Sequence, residues 1–223
     1  MGKLYIIATP IGNLEDITLR ALRILKEVDL VLCEDTRQTR KLLDRHEIKN
    51  PTLSYHQHSK LGRTEEIINL LREGKNLALV SDAGTPAISD PGGKLVEEVL
   101  RALGTEAEII PIPGASAVTT AASISGFPTD KFLFLGFPPH KKGRNKFFQK
   151  IAESDVTVIF YESTHRILKS LEELRAAAGE REVAVCREMT KMFETIYRGT
   201  ASEVLEKLKV DTTKGEFAVV VRK

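Results

Sequence analysis

VSDAGTPAISDPGG, residues 80–93, separates an apolar run from an amphipathic one. The apolar run covers residues 76–80, and the amphipathic run begins at Lys94. The glycines, prolines and short polar residues between them predict a strand, a polar loop and the start of a helix. A strand–helix connection usually needs only about two to six residues. Because this one is longer and places Asp82 at the end of a strand, we expect it to carry function.

The same order of strand, loop and helix extends through the first half of the chain. Short apolar runs that predict strands alternate there with amphipathic helices. These runs are residues 4–8, 29–33, 52–55, 76–80 and 108–111. Buried strands that alternate with helices are typical of a mostly parallel sheet.

A linker-like segment, GFPTD at residues 126–130, separates this half from the rest. We place the boundary there, so the predicted domains are residues 1–127 and 128–223. Apolar runs in the second half follow one another more like hairpin strands, which favours a mixed sheet. The sequence therefore predicts two α/β domains, the N-terminal one with a mostly parallel sheet and the C-terminal one with a mixed sheet.

The overall composition argues against a membrane protein and gives no strong charge signal. The 223 residues carry a formal net charge of +2, too small by itself to identify a nucleic-acid binder. No apolar run approaches the roughly 20 residues of a membrane span. Cys33 and Cys186 each end an apolar run, so we expect buried thiols and a cytoplasmic protein. The histidines show no zinc spacing, and we expect no metal site, even at the His56/His58 pair.

Three polar loops of the first half belong to one edge of the predicted sheet. They are TPIGNLED at residues 9–16, CEDTRQ at residues 33–38, and residues 80–93. Ligands of open α/β sheets bind at the carboxyl ends of the strands, so these loops predict a ligand site. None contains GxGxxG or a P-loop, which disfavours a conventional dinucleotide or triphosphate site. A fourth segment, IPGASA at residues 112–117, indicates either close backbone approach to a ligand or tight packing of a helix on the sheet.

Basic residues cluster in the second half within PHKKGRNKFFQK, residues 139–150. Four of them form our predicted RNA-binding set: Lys141, Lys142, Arg144 and Lys146. Basic side chains with adjacent aromatics suit a phosphate backbone and a stacked base. The alternative is a solvated helix face with Phe147 and Phe148 in the core, and we favour RNA contact.

Eight segments spread over the whole chain resemble, in the same order, the ribosomal RNA small subunit methyltransferase I family of the tetrapyrrole-methylase superfamily. The segments are ATPIGNLEDIT, CEDTR, SYHQHS, VSDAGTPAISDPG, IPGASA, FYESTHRI, CREMTK and KGEFAVVV. In the tetrapyrrole branch one stretch looks like Gly-Gly-Asp-Pro, whereas residues 83–86 here are AGTP. This departure argues against a corrin or sirohaem substrate.

The resemblance implies a fold, a reaction and a set of contacts. It implies a homodimer of two-domain α/β chains that bind S-adenosylmethionine in the cleft between the domains. It also implies 2′-O-methylation of a cytidine in the decoding centre of the 16S rRNA of the small ribosomal subunit. By matched position, the cofactor contacts would be Pro10, Ile11, Asp82, Gly84, Thr85, Ile88, Ser116, Ala117, Tyr161 and Glu162.

Methyl transfer to a ribose hydroxyl needs a proton acceptor, because a 2′-hydroxyl is a poor nucleophile. The candidate acceptors are the acidic residues at predicted strand ends: Glu34, Asp35, Asp82, Glu162 and Glu188. Among them we expect Asp82 or Glu188 to be the base, with Lys191 or Arg187 stabilising alkoxide charge. Two alternatives stay open: a tetrapyrrole or protein side chain as methyl acceptor, and a ribosome-assembly factor that has lost its chemistry.

Overall fold

The computed structural model describes residues 1–56, 61–90 and 92–223. The chain divides into two compact units, Met1–Ser116 and Ala117–Lys223. A helix, Ala117–Ser125, lies between this division and the boundary predicted after residue 127, which stays a prediction.

In the described part of the first unit, five strands form one sheet, and every adjacent pair is parallel. The strands are β1 (Lys3–Ile7), β2 (Leu30–Cys33), β3 (Thr52–Ser54), β4 (Leu77–Leu79) and β5 (Glu108–Ile112). Their spatial order is β3-β2-β4-β1-β5. Each connection therefore carries the chain back to the same starting edge, which requires crossover helices.

Those helices are α1 (Leu19–Glu27), α2 (Thr36–Arg45), α3 (Leu61–Arg72) and α4 (Gly92–Leu103). Side-chain caps define where two of them begin. The Thr18 hydroxyl accepts a hydrogen bond from the Ala21 amide, and the Asp35 carboxylate accepts one from the Arg37 amide. The proline predicted for the first turn of α4, Pro91, lies outside the described residues.

Helices cover both faces of this sheet. Val31 packs with α1 and α2 through Leu25 and Leu43. Its neighbour Leu32 packs with α3 and α4 on the opposite face. Successive strand side chains point to opposite faces, so an unbroken apolar run buries both of them. The first unit is a doubly wound α/β sheet.

The loop that follows β4 leaves the sheet in a different direction from its neighbours. It leads to α4 on one face, whereas the loops after β1 and β2 lead to α1 and α2 on the other. Where neighbouring loops diverge in this way, a crevice opens at the carboxyl ends of the strands. Because β4 lies between β2 and β1, the described residues of the loop after β4 border such a crevice on each side.

The second unit, as far as it is described, has a mixed five-stranded sheet in the order β6-β7-β10-β8-β9. Its strands are β6 (Phe132–Phe134), β7 (Thr157–Ser163), β8 (Glu182–Arg187), β9 (Thr195–Thr200) and β10 (Glu216–Val221). Its helices are α5 (Ala117–Ser125), α6 (Arg144–Ala152), α7 (Ile167–Ala178) and α8 (Ala201–Val210). β6 pairs with β7 in parallel, and the other three pairs are antiparallel. Helices α6, α7 and α8 bury one face of this sheet, through Phe148, Leu171 and Leu205.

The predicted fold class, a parallel α/β domain followed by a mixed one, is confirmed. Cys33 and Cys186 are both buried free thiols, and burial raises the pKa of Cys186 to about 11. Across the described ranges, no helix combines the length and the apolar composition that crossing a bilayer demands.

Candidate active site

Thr9 and Gly84 join the ends of β1 and β4 on one side of residues 80–93. Each amide donates to the other residue's carbonyl, at 2.9 Å from Thr9 and 3.0 Å from Gly84. The buried Thr9 hydroxyl also donates to the Ser81 carbonyl at 3.1 Å. The Ser81 hydroxyl lies 3.2 Å from the Gly84 carbonyl oxygen. These bonds fix the first turn of the loop against β1.

The rest of this loop contains left-handed backbone that side chains disfavour. Gly84, Ala87 and Ser89 have φ angles of 82°, 74° and 65°. The Asp90 carboxylate holds the second turn, because its Oδ1 accepts from the amides of Ala87 and Gly92, both at 2.7 Å. Left-handed alanine and serine persist only where the surroundings over-determine them, and such residues concentrate at functional sites.

Gly92 is required for this turn, whereas its neighbour Gly93 is not. A Cβ on Gly92 would lie 2.9 Å from both the Ala87 nitrogen and the Asp90 Oδ1. A Cβ on Gly93 would meet only the Ala87 Cβ, at an ordinary 3.5 Å. We expect Gly92→Ala to destabilise the protein by about 1–3 kcal/mol. Gly93→Ala, the matched control, is expected to be neutral or to stabilise by up to about 1 kcal/mol. Urea denaturation of both variants measures this, and equal effects would contradict the assigned role of Gly92.

The loop after β5 packs closely on the loops after β1 and β4. The Thr85 hydroxyl donates to the Ala115 carbonyl at 3.1 Å. A Cβ on Gly114 would lie 3.0 Å from the Ala8 Cβ, so this glycine permits close packing of two strand ends. Gly114 is therefore required by the packing of strand ends, while both interpretations of IPGASA, close approach to a ligand and tight packing of a helix on the sheet, stay predictions.

The structure brings most cofactor residues predicted in the first unit to this single edge. Pro10, Ile11 and Gly84 are buried, Thr85 and Ser116 are half-buried, and Ile88 is 41% exposed. Their shared character is neutral: small hydroxyls, backbone and aliphatic carbon. An edge of this kind fits a cofactor that is bound through backbone and apolar contacts.

Acidic side chains line the other crevice, between β2 and β4. The Asp82 carboxylate accepts from the Asp35 amide at 3.1 Å, so it ties the two loops together. Burial, together with the nearby charges of Asp90 and Asp82, raises the pKa of Glu34 to about 7. The Arg37 guanidinium hydrogen-bonds Asp35 and lowers the pKa of that carboxyl to about 2. Glu34 and Asp35 are adjacent in sequence, but only Glu34 titrates near neutral pH.

In the second unit, Glu162 lies at the centre of a buried ionic network. Its carboxylate lies 2.9 Å from the Arg166 Nε and accepts a 2.8 Å bond from the Ser163 amide. The Ser170 hydroxyl donates to the second carboxylate oxygen and accepts from the Arg144 Nη2 at 2.7 Å. The Glu162 side chain is fully buried. All its oxygens are engaged by protein groups, so its predicted catalytic and cofactor roles stay predictions.

Glu188 and Lys191 form a second ionic turn, after β8. The Glu188 carboxylate accepts from the Lys191 ammonium and from the Glu216 amide, both at 2.9 Å. Lys191 also bonds the Glu216 carboxylate. Burial alone would raise the pKa of Glu188, but the bonds from the Glu216 amide and Lys191 outweigh burial and lower it. Glu188 is therefore a weaker proton acceptor near neutral pH than Glu34.

The predicted RNA-binding residues separate into two groups. Lys141, Lys142 and Lys146 are exposed, and no ion pair engages them among the residues that the structure describes. Arg144 is only 5% exposed; its Nε bonds Glu173 at 2.5 Å. Phe147 packs against the core, and Phe148 lies within it, so neither is free to stack on a base. The structure gives Arg144 internal partners in place of a solvent-facing position.

The two remaining cofactor predictions, Ala117 and Tyr161, also belong to this unit. Ala117 begins α5 and is half-buried. The Tyr161 ring packs edge-on against Phe134 and Phe137, with centroids 4.9 and 5.5 Å away. Burial raises the pKa of its hydroxyl to about 12, so Tyr161 is neutral at physiological pH. His56 is exposed, while its possible metal partner His58 lies outside the described residues.

Sequence comparison places this chain in a known family. Residues 3–205 match the family described as Tetrapyrrole (Corrin/Porphyrin) Methylases. The "Ribosomal RNA small subunit methyltransferase I" of Thermotoga maritima is 48% identical over 221 residues, 99% of this chain and 98% of the relative. The chain belongs to the ribosomal RNA small subunit methyltransferase I family. The resemblance predicted from the eight sequence segments is thereby confirmed.

Solved structures support the fold of this methyltransferase I family member. A cobalt precorrin-4 methyltransferase has a TM-score of 0.73 at 21% identity, covering 99% of this chain and 94% of that one. A uroporphyrin-III C-methyltransferase from Thermus thermophilus, complexed with S-adenosyl homocysteine, has a TM-score of 0.67 at 19% identity, covering 98% and 97% of the two chains. At these identities the likeness shows the fold alone.

Proposed function

We propose that the protein transfers a methyl group from S-adenosylmethionine to the 2′-hydroxyl of a cytidine in the decoding centre of 16S rRNA. The family assignment and the name of the Thermotoga relative support the rRNA substrate. One observation supports a hydroxyl oxygen as the methyl acceptor: the Glu34 carboxyl lies at the β2–β4 crevice. Its pKa of about 7 suits a group that takes a proton at neutral pH.

The first-unit edge suits the cofactor. S-adenosylmethionine supplies an electrophilic methyl group on a positively charged sulfur. Thr85, Ile88 and Ser116 offer hydroxyl and aliphatic contacts there, and the backbone of Pro10 and Ile11 lines the same edge. Because Thr9 and Gly84 bond to each other, hydrogen bonds within the protein hold this wall in shape. A preformed wall reduces the ordering cost of binding.

Among the acidic candidates, we propose Glu34 as the base in place of our first expectations, Asp82 and Glu188. A base must be partly ionised at working pH and must retain affinity for a proton. Glu34 meets both conditions, whereas the pKa of Glu188 is lowered by Lys191 and the Glu216 amide. Asp82 contributes a negative charge that raises the proton affinity of Glu34. In the proposed reaction the 2′-hydroxyl proton would pass to Glu34 as the oxygen–carbon bond forms and the methyl–sulfur bond breaks. S-adenosylhomocysteine would be the leaving group.

Lys142→Glu is expected to weaken binding to small ribosomal subunits by about tenfold and to reduce the salt dependence of binding. The reason is that Lys142, exposed and without an ion pair to any residue that the structure describes, can neutralise phosphate, whereas glutamate repels it. The control is Lys131→Glu, an exposed lysine that precedes β6, whereas Lys142 follows that strand. Filter binding at several salt concentrations measures both variants. Equal losses would remove the basic stretch from the proposed interface.

The decisive test of the reaction uses labelled S-adenosylmethionine and small subunits from a strain that lacks the enzyme. The expected result is one labelled ribose at a decoding-centre cytidine. Label on a base, on a ribosomal protein or nowhere would refute 2′-O-methylation, and the last result would favour an assembly factor. Methylation of an added tetrapyrrole instead of RNA would support the other alternative.

The family resemblance also supports a cytoplasmic homodimer as the working form. Light scattering of the full chain, with and without S-adenosylmethionine, measures its mass. A mass equal to one chain at micromolar concentration would contradict the dimer.

A further inference from the structure

Two consecutive carbonyl groups of the basic loop, which we define as residues 138–143, are held by arginines. The Pro138 carbonyl accepts from the Arg166 Nη1 at 3.0 Å. The Pro139 carbonyl accepts from the Arg144 Nη1 at 3.2 Å. Proline has no backbone N–H, so these oxygens are the hydrogen-bonding groups that the main chain offers at both positions.

The buried Glu162 carboxylate holds both arginines in place. It pairs directly with Arg166 at 2.9 Å and reaches Arg144 through the Ser170 hydroxyl. Only 6% of the Arg144 side chain and 18% of the Arg166 side chain are exposed. Removing such charges from water is costly, and a buried ion pair is by itself weak evidence for stability. A positioning role accounts for the retained charges.

We propose that Glu162, Arg144 and Arg166 form a carbonyl clamp that fixes the basic loop in the shape that presents Lys141 and Lys142 to rRNA. Its consequence for binding rests on the proposed function. The lysines are the exposed charges, and the arginines are positioning residues that act through the loop backbone. Residues from α6, from β7 and from the position just before α7 thus share one role, which is to hold the loop backbone.

Arg166→Lys tests the clamp directly. The lysine keeps a positive charge beside Glu162, but its single ammonium cannot reproduce both the Nε pair with Glu162 and the Nη1 bond to Pro138. We expect trypsin to cleave after Lys141 and Lys142 several times faster in this variant, with the initial fragments identified by mass spectrometry. Arg175→Lys is the matched control, because Arg175 is exposed on α7 and its side chain bonds Ser202 and no carbonyl of the basic loop.

A second measurement follows the consequence for RNA. Arg166→Lys is expected to weaken binding to small ribosomal subunits about three- to tenfold and to lower the salt slope by about one. In a Lys141→Ala/Lys142→Ala background it should cause no further loss, because the clamp acts through those lysines. A merely structural role would give the same loss in both backgrounds.

The two measurements separate the possible failures. Unchanged trypsin cleavage in Arg166→Lys would overturn the clamp, whatever the RNA result. Faster cleavage with unchanged or additive RNA binding would overturn the positioning role. A further outcome is that the double alanine variant binds subunits as tightly as the unaltered protein does. That result would overturn both the proposed RNA surface and the positioning role. The rate of trypsin cleavage in Arg166→Lys would then still test whether the arginines hold the loop.

Discussion

Glu34→Gln is expected to lower kcat at least about 100-fold, because a general base contributes about 10²- to 10⁴-fold to a proton transfer. Glutamine keeps the shape of the side chain and cannot take the proton. The affinity for S-adenosylmethionine, measured by calorimetry, should be unchanged. Glu65→Gln, at an exposed position on α3, is the control and should retain full turnover. Full turnover in Glu34→Gln would refute the assignment.

The pH dependence of kcat in the wild-type protein is an independent test of Glu34 as the base. The carboxylate must be ionised to accept a proton, so kcat should rise with pH and level off above about 7, the raised pKa of Glu34. Asp82→Asn removes one of the charges that raise this pKa, and its side-chain oxygen can still accept from the Asp35 amide. The profile of that variant should shift to lower pH. A shift to higher pH would contradict the electrostatic coupling.

Glu34→Gln should also gain stability while it loses activity. Because folding raises the pKa of Glu34, the folded state binds more protons than the unfolded state between pH 4.5 and about 7. The free energy of unfolding therefore falls as pH rises through this window, and it stays at the lower value at higher pH. The gain at pH 8, discounted for solvent at a partly exposed group, is expected to be about 1–2 kcal/mol. Urea denaturation at pH 5 and pH 8 measures it, and an equal difference at both pH values would contradict the linkage.

The second large effect is expected at Glu162. Glu162→Gln leaves Arg144 and Arg166 buried without their shared carboxylate, and breaking such a pair from one side costs about 3–5 kcal/mol. Glu172→Gln, an exposed position on α7, is the control and should change the free energy of unfolding by less than about 0.5 kcal/mol. Chemical denaturation measures both. A loss below about 1 kcal/mol in Glu162→Gln would show that the network is not coupled as its distances indicate.

The strands and helices were predictable because their signals are local. The apolar runs at residues 29–33 and 76–80, which were predicted as strands, contain β2 and β4. Buried runs, caps and turn residues act within a few positions of one another. The same locality explains why the polar loops after β1, β2 and β4 could be assigned to one sheet edge.

The direction of charged side chains was harder to predict, because composition does not record it. Arg144 stands in a basic run, yet Arg144, Phe148 and Ile151 share the buried face of α6. Their spacing of four and three residues is the signal that could have identified it as internal. Likewise Glu162 continues the inward alternation of Val158 and Phe160 along β7.

The proton affinity of Glu34 could not be predicted from sequence at all. It depends on burial and on Asp82 and Asp90, which follow a different strand about fifty positions later in the chain. Only the spatial order of β2 and β4 brings these loops together. The missed role of Asp90 has the same origin, since its amide partners become evident only when the turn is folded.

The carbonyl clamp holds backbone oxygen atoms and makes no demand on the side chains at residues 140–142. The sequence at residues 140–142 can therefore change while the two arginines keep their bonds to the loop backbone. Natural drift at these positions would alter which surface the enzyme recognises without altering its fold. For the same reason, a tripeptide of chosen charge that replaces residues 140–142 would be held between backbone groups that the two arginines already fix.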